Sequence, residues 1–463
     1  GKVGYCDIYG LKEGQSPSHT VDLKDKEAIR SLRSFTFFAG LMRANNTITS
    51  LTLSSVIPDH VNIIAESLSS NTTLQELRLE QPSKGGDTAV AVLPVQELNG
   101  GKGVERIDLW DAGGGGAMHR HACAVVGALL NVNTSVNFLR INPGGSSEGG
   151  TVLEHIHRAR KSTLRTLDVT GIGLGDRGGS KFFETMLAGQ CGWLTSLHLG
   201  SNKLTDAAVG PLIVEVLRSD ACNIVSLDLK NNLIGGPVIT QAIKFNKSLT
   251  ALYITGNPIE DDGLWLIGGL LLEDDCQCKL RSISTYAFTV GENDEKMSLQ
   301  DATLEAGAVR LLFGVLKYNK AITDLDLSGS GISASSANDL ATAISVNKSL
   351  KTLDLSRNPI STISEYEDPN FLSKEDSSPS KQSVSSLNDT AGLVALANAV
   401  LASSSLEGVT LEGGKLPVTQ LKGIVKVKSL DLSRRNFSHI SSIFIGTLLA
   451  GNHSITDLSL HSN

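Results

Sequence analysis

The sequence has few aromatic residues, few cysteines and no excess of positive charge. The scattered cysteines and the charge each argue against a class of protein. Aromatic residues make up 5% of its 463 residues, and the six cysteines are spread thinly along the chain. Scattered cysteines fit a reducing compartment better than a disulfide framework. The formal net charge of −7 argues against a nucleic-acid partner or an anionic membrane surface.

Long apolar runs are also missing. No uninterrupted apolar stretch has the length needed to cross a membrane, and no signal-like segment opens the chain. We therefore predict no membrane insertion in this segment and a cytoplasmic location, with a cytoskeletal or ciliary location as narrower alternatives. Secretion stays an open alternative, because the sequence begins at Gly1 and not at Met.

A short leucine motif recurs instead. From Leu194, apolar residues occupy positions 1, 4 and 6 and Asn202 occupies position 9, and the same spacing returns from Ile224 and Leu249. Such a motif predicts a short strand whose two central apolar side chains point into the core while their neighbours point outward. The Asn side chain can then bond to backbone groups of the following turn.

The motif predicts a strand about every 25 to 32 residues, an interval that leaves room for a return helix such as 207–217. The fold class is therefore α/β: a solenoid of about 14 repeats, shaped as a horseshoe, with a parallel sheet on the concave face and helices on the convex face. The predicted motif starts are Ile48, Leu74, Val104, Val136, Leu164, Leu194, Ile224, Leu249, Leu280, Ile322, Leu350, Leu406, Val427 and Ile455.

We predict two parts of the chain. Residues 1–47 form an irregular segment with a capping helix, and residues 48–463 form the solenoid, with loop insertions near 285–298 and 361–388. The last motif is followed by no predicted capping helix, so we expect this C-terminal edge to meet further repeats or another chain.

Asn-turn repeats of this length, each with a full return helix, resemble the ribonuclease-inhibitor class of leucine-rich repeats. The resemblance covers roughly residues 48–463 and is strongest at Asn202, Asn232, Asn257 and Asn358. It implies a non-catalytic scaffold that binds a partner protein on its concave face, within a larger protein or assembly. Three alternatives come from the same class: a GTPase-activating protein of the Ran type, the ligand-sensing repeat domain of an innate-immune-type receptor, and a structural subunit of an axonemal or other large complex.

Outward positions of the predicted strands supply the candidate contact residues. Aromatic and arginine side chains, which often dominate the energy of protein interfaces, fall on adjacent strands as Arg106, Trp110, Phe138 and Arg140. Tyr253 and Tyr286 form a second predicted cluster. Later strands carry acidic residues, which are either a contact lane or solvated filler of the motif; they are Asp324, Asp326, Asp354, Glu412, Asp431 and Asp457.

The sequence gives no grouping of nucleophile, base and orienting residue, so we predict no enzyme, no cofactor and no metal site. The segment 173–178 matches a dinucleotide-binding glycine pattern, but its glycines occupy the turn of a repeat. The pairs His119/His121 and His155/His157 fit helix surfaces better than zinc, because two-residue spacing on a helix separates the side chains.

Two modification patterns have contrasting interpretations. Six Asn-x-Ser/Thr sites share one repeat phase, which suggests that each Asn ends a helix in a left-handed conformation, so these sites give no firm evidence about secretion. Those asparagines are Asn45, Asn71, Asn133, Asn246, Asn347 and Asn452. Ser378, followed by Pro379 in the polar insertion, is a candidate phosphorylation site that could adjust access of a partner.

Overall fold

A computed structural model of the protein forms two compact units, residues 1–234 and 235–463. The structure describes residues 20–23, 36, 39–40, 42–54, 56–82, 88–113, 118–142, 163–189, 192–360, 382–412 and 414–463. Among these residues, no helix is both long enough and apolar enough to cross a membrane.

Unit 1 contains two sheets. The first runs in the order β1 (Thr20–Leu23), β2 (Ser50–Ser54), β3 (Glu76–Pro82) and β4 (Thr88–Pro94), with only the β3–β4 pair antiparallel. The second is parallel and consists of β5 (Arg106–Leu109), β6 (Phe138–Ile141), β7 (Thr166–Asp168), β8 (Ser196–His198) and β9 (Ser226–Asp228). The helices are α1 (Pro58–Ser69), α2 (Val95–Leu98), α3 (Arg120–Leu130), α4 (Gly175–Gly189) and α5 (Asp206–Arg218).

Unit 2 repeats the plan. One sheet holds β10 (Ala251–Tyr253), β11 (Ser282–Ser284) and β12 (Thr289–Val290). A second holds β13 (Lys296–Ser298), β14 (Asp324–Asp326), β15 (Thr352–Asp354), β16 (Gly408–Leu411) and β17 (Gly414–Pro417), and a third pairs β18 (Ser429–Asp431) with β19 (Asp457–Ser459). The helices are α6 (Gly236–Lys244), α7 (Asp261–Leu272), α8 (Ala306–Leu316), α9 (Ala337–Val346), α10 (Gln382–Ala402), α11 (Val418–Leu421) and α12 (His439–Leu449).

The predicted α/β repeat is confirmed in both units. Each of the predicted motifs forms a strand that begins two residues after the first apolar position, so that Leu194 precedes β8 and Leu350 precedes β15. Except in β19, the central apolar residue of these motif strands lies in the core, as shown by Leu197 at 0% and Leu353 at 1% exposure. Helices pack behind the strands, and burial of this apolar layer is the main favourable term for such a fold.

The segment near 285–298, predicted as a loop insertion, contains the strands β12 and β13. Lys296 of β13 pairs in parallel with Asp324 of β14, at the spacing of one repeat. This repeat departs from the leucine motif, because Asp294 stands where its first apolar residue is expected.

The remaining predicted segments are described only in part. The N-terminal part contributes β1 and helical residues at 39–40 and 42–44, and residues 361–381 of the second insertion lie outside the described residues. At the other end, β19 leaves Leu458 and Leu460 37% and 44% exposed. A covering partner for that edge stays a prediction.

Buried asparagines close the strand ends, as the motif predicts. The Nδ2 of Asn202 donates to the carbonyl oxygens of Val169 and Leu199, at 2.9 Å each. Its backbone N–H donates to Oδ1 of Asn232, 3.0 Å away, so successive repeats are linked through this position. Asn202 and Asn232 are 0% and 2% exposed, and each bond satisfies a backbone group that water cannot reach.

The asparagines of the six Asn-x-Ser/Thr sites form a second set of such bonds, and the predicted left-handed cap is wrong for them. None is among the described residues with positive φ, and Asn347, which follows α9, has φ −62°. Its Oδ1 accepts from the N–H groups of Ser349 and Leu350, while its Nδ2 donates to the carbonyls of Leu316 and Asn319 in the preceding repeat. The side chain therefore turns inward and joins two repeats, which a left-handed cap would not require.

Replacement of Asn347 by Ala should destabilise unit 2 by about 3 kcal/mol, because two buried N–H groups and two buried carbonyls lose their partner. The measurement is the free energy of unfolding in urea. Asn338→Ala is the matched control, since Asn338 is exposed on α9, and it should change that free energy by less than about 0.5 kcal/mol. Equal effects of the two variants would contradict the structural role of Asn347.

Candidate functional site

The outward face of β5, β6 and β7 brings together the first predicted cluster. Along β5, Ile107 and Leu109 are buried while Arg106 and Asp108 are exposed, because side chains alternate across a strand. The parallel register pairs Arg106 with Phe138 and Asp108 with Arg140. We call Arg106, Trp110, Phe138 and Arg140 the arginine–aromatic patch.

Arg106 stacks on Phe138 across the two strands. The guanidinium carbon of Arg106 lies 3.4 Å from the centre of the Phe138 ring. A cation over an aromatic face is attracted by the ring's negative quadrupole, a contact of about 0.5–1 kcal/mol at exposed sites. The ring therefore restricts Arg106 although that side chain is exposed.

Arg140 is braced from both sides by carboxylates. Its Nη1 lies 3.5 Å from Oδ2 of Asp108 on β5, and its Nε lies 3.6 Å from Oδ2 of Asp168 on β7. Its guanidinium carbon also sits 4.5 Å from the centre of the Trp110 ring. Asp108 and Asp168 are not among the predicted site residues, although the strand register places them on either side of Arg140.

Trp110 is positioned by the end of β5 and by a glycine two strands away. Its backbone N–H donates to Oδ1 of Asp108 at 2.9 Å, which fixes the residue just after the strand. A Cβ at Gly171 would lie only 3.5 Å from Cη2 of Trp110, so the indole reaches over the turn after β7. Gly171 has φ +69°, a conformation that also favours glycine there.

The patch is thus a preorganised surface of two stacked arginine–aromatic pairs. Its side chains are held by each other and by Asp108 and Asp168, so little conformational entropy remains to be lost on binding. Arginine, tryptophan and phenylalanine are enriched at the centres of protein interfaces. The structure confirms that the four predicted residues lie together, and their role in binding stays a prediction.

The two predicted tyrosines have different surroundings. Tyr253 ends β10, where its register partner is Ser284 of β11. Tyr286 lies beyond β11, is 55% exposed and borders an open pocket of about 580 Å³. Burial and the charges of Asp261, Glu305 and Glu260 raise the pKa of Tyr286. Asp261 accepts hydrogen bonds from the N–H groups of Gly307 and Ala308, which explains its presence structurally.

The aspartates of the Leu-Asp-Leu strands have a structural role. Oδ1 of Asp326 accepts from the N–H of Ser328, and Asp354 and Asp431 do the same for Ser356 and Ser433. Glu412 instead accepts from the backbone N–H of Ser438 at the start of α12. These contacts support the interpretation of the acidic residues as parts of the repeat turn.

The candidate ligand motifs also have structural roles. Leu174 donates its N–H to Oδ1 of Asn202, and the glycine-rich segment passes from a repeat turn into the first turn of α4, which begins at Gly175. Cys276 and Cys278 are buried, and burial raises the pKa of the Cys278 thiol to about 12, which makes it a poor nucleophile or metal ligand. The described residues contain no group of three or more His, Cys, Asp or Glu suited to a metal ion.

The prediction that His119 is a helix-surface residue is wrong, because His119 caps the start of α3. Its Nδ1 accepts from the N–H of Ala122 at the start of α3, and its Nε2 lies 3.3 Å from the carbonyl oxygen of Leu79. These two contacts fit a neutral ring with its proton on Nε2. The ring of His121 lies 6.3 Å away, whereas His155, His157 and the candidate phosphorylation site Ser378 lie outside the described residues.

Comparisons with known proteins agree with the repeat. A family model described as a leucine-rich repeat matches residues 160–183, 190–212, 245–267 and 346–362. The chain is 33% identical over 99 residues to NACHT, LRR and PYD domains-containing protein 3 of Bos taurus, which covers 21% of this chain and 10% of that protein.

Two further relatives give longer matches. The ribonuclease inhibitor of Sus scrofa is 30% identical over 154 residues, covering 33% of this chain and 30% of the inhibitor. NACHT, LRR and PYD domains-containing protein 14 of Mus musculus is 21% identical over 285 residues, covering 61% of this chain and 26% of that protein. The chain therefore spans less than a third of the length of each relative.

Acidification should destabilise unit 1 through His60 and His119. Burial lowers the pKa of both below the ordinary 6.5, and the charge of His121 adds to this, while Asp59 opposes it at His60 and the Leu79 carbonyl opposes it at His119. The unfolded chain takes up protons near pH 6.5 where the folded chain does not, so stability is present above that pH and is lost below it.

We expect the thermal unfolding midpoint to fall between about pH 7.5 and about pH 5.5. His119→Asn keeps a helix-capping acceptor but removes one titrating group, so its midpoint should fall less. His453→Asn is the control at an exposed position, and its unfolding midpoint should fall as much as that of the parent chain. If the unfolding midpoint of His119→Asn fell as much as that of the parent chain, the contribution of His119 would be refuted.

Proposed function

We propose that this chain, a leucine-rich repeat protein of the ribonuclease-inhibitor-like class, is a non-catalytic module that binds a partner protein on the outward face of its sheet. The single observation that carries the proposal is the arginine–aromatic patch, where Arg140 is braced between Asp108 and Asp168 and lies over Trp110.

A binding role would explain why large side chains lie at outward positions of the sheet. Large, partly exposed side chains in a solvent-facing layer contribute less to stability than core residues, but they supply contact area to a partner. Trp110 and Phe138 are half-buried, which leaves part of each ring for contact. Ion pairs around Arg140 hold the cluster in place before the partner arrives.

We also propose that the protein works in the cytoplasm. Asn71, Asn133, Asn246 and Asn347, all within Asn-x-Ser/Thr sites, are at most 2% exposed, and their side chains are bonded inside the repeats. A glycan added to any of these side chains before folding would be incompatible with that packing. This supports a compartment without N-glycosylation.

A second candidate function is the ligand-sensing repeat region of an innate-immune-type receptor. The observation that favours it is the similarity to NACHT, LRR and PYD domains-containing proteins. In this case the outward face would bind a ligand and the rest of the receptor would respond to it.

The patch is tested by the double variant Trp110→Ala/Arg140→Ala. We expect recovery of partner proteins from cell extract by the immobilised chain to fall about tenfold or more, since interface hot spots concentrate binding energy in such residues. Arg78→Ala is the matched control, because Arg78 is also a partly exposed strand arginine and is paired with Glu80 of its own strand. Unchanged recovery by a folded double variant would remove the patch assignment.

The second candidate predicts a nucleotide-binding segment encoded in the same open reading frame as these repeats. Sequencing of the full-length transcript measures this directly. A frame that encodes only repeats would exclude the receptor of this type and leave the binding module as the proposal.

A further inference from the structure

The two arginines of the arginine–aromatic patch differ in their electrostatic partners. Arg140 has a carboxylate on each side, at 3.5 and 3.6 Å. For Arg106, the part of the chain that the structure describes provides the Phe138 ring and no carboxylate within ion-pair distance. Among the described residues, Arg106 is therefore the arginine of the patch without an ion-pair partner.

Nearby carboxylates are directed to other groups. Asp108, two residues from Arg106 on the same strand, lies against Arg140 on the next strand. Glu105 accepts a hydrogen bond from Nδ2 of Asn137 at 3.2 Å. Both arrangements leave Arg106 with its charge and its five N–H donors available to a group from outside.

Stacking on Phe138 prepares Arg106 for such a group. At 3.4 Å from the ring centre, the flat guanidinium covers the ring with its face and leaves its N–H edge for hydrogen bonds. A guanidinium edge matches the two oxygens of a carboxylate through paired N–H donors. The ring also limits the rotamers of Arg106, which lowers the entropy lost when a carboxylate binds.

We propose that Arg106 binds a carboxylate of the partner, an Asp or Glu side chain, in a protein segment whose neighbouring apolar side chain packs on Trp110. This inference rests on the proposed function and specifies the chemistry of its partner. A single carboxylate fits better than a polyanion, because Asp108 and Asp168 border the patch and would repel a row of phosphates.

The test is selection of a phage-displayed random peptide library on the folded chain. We expect peptides with an acidic residue beside an aromatic or aliphatic one, and we expect their capture to be lost with Trp110→Ala. Arg106→Glu should lose the acidic preference, whereas Arg78→Glu, at the partly exposed arginine of β3, should keep it. Thermal unfolding of each variant verifies that it is folded.

The affinity of one selected peptide then isolates the charge. Fluorescence anisotropy measures the affinity. The Glu→Gln form of the peptide should bind the parent chain about tenfold more weakly than the original peptide does, whereas the two peptides should bind Arg106→Ala with equal affinity. For Arg106→Lys, the difference in affinity between the two peptides should lie between the values for the parent chain and for Arg106→Ala, since Lys keeps the charge but loses the paired donors.

The outcomes separate the inference from the function beneath it. Peptides that depend on Trp110 but show no acidic preference would overturn the role of Arg106 and leave the patch as a contact site. Peptides indifferent to Trp110 would overturn both. Tighter, Arg106-dependent binding of a short oligonucleotide than of the acidic peptide would replace the protein partner by a nucleic acid and overturn the proposal.

Discussion

Short strands stacked one repeat at a time leave backbone groups at both ends that no sheet ladder reaches. In this protein, buried amide side chains satisfy them: Asn202 and Asn232 on one side of the strand, and Asn133 and Asn347 on the other. Each asparagine bonds to its own turn and to the preceding repeat. The spacing of the strands, and hence the alignment of any outward-facing side chains, depends on these bonds.

The arginine–aromatic patch is a direct consequence of that alignment. Register pairs Arg106 with Phe138 and Arg140 with both Asp108 and Asp168. A slip of one residue in any of these strands would turn the patch into the core and the core leucines to solvent. The sequence alone does not distinguish the two arginines. In the structure, Arg140 is paired with two carboxylates, whereas Arg106 lies on the Phe138 ring.

The same alignment explains why several tempting signals have structural meanings. The glycine-rich segment at the start of α4, the aspartates of the Leu-Asp-Leu strands and the six Asn-x-Ser/Thr sites of one phase lie at fixed positions within the repeat. At those positions, Leu174 donates to Asn202, Asp326 accepts from Ser328, and Asn347 joins two repeats. Repetition at one phase indicates a constraint of the backbone and not a separate chemical site.

By itself, the sequence determined the strands that follow the leucine motif, their faces and the four residues of the patch, because the spacing of apolar residues fixes which side chains share a face. It did not reveal β13, where Asp294 interrupts the motif, nor the inward turn of Asn347, nor the capping role of His119. Those depend on which backbone groups of a neighbouring repeat lie within hydrogen-bond distance. Only the tertiary structure decided them, and only it showed that Asp108 and Asp168 are paired with Arg140, while Arg106 contacts a ring and has no carboxylate partner among the described residues.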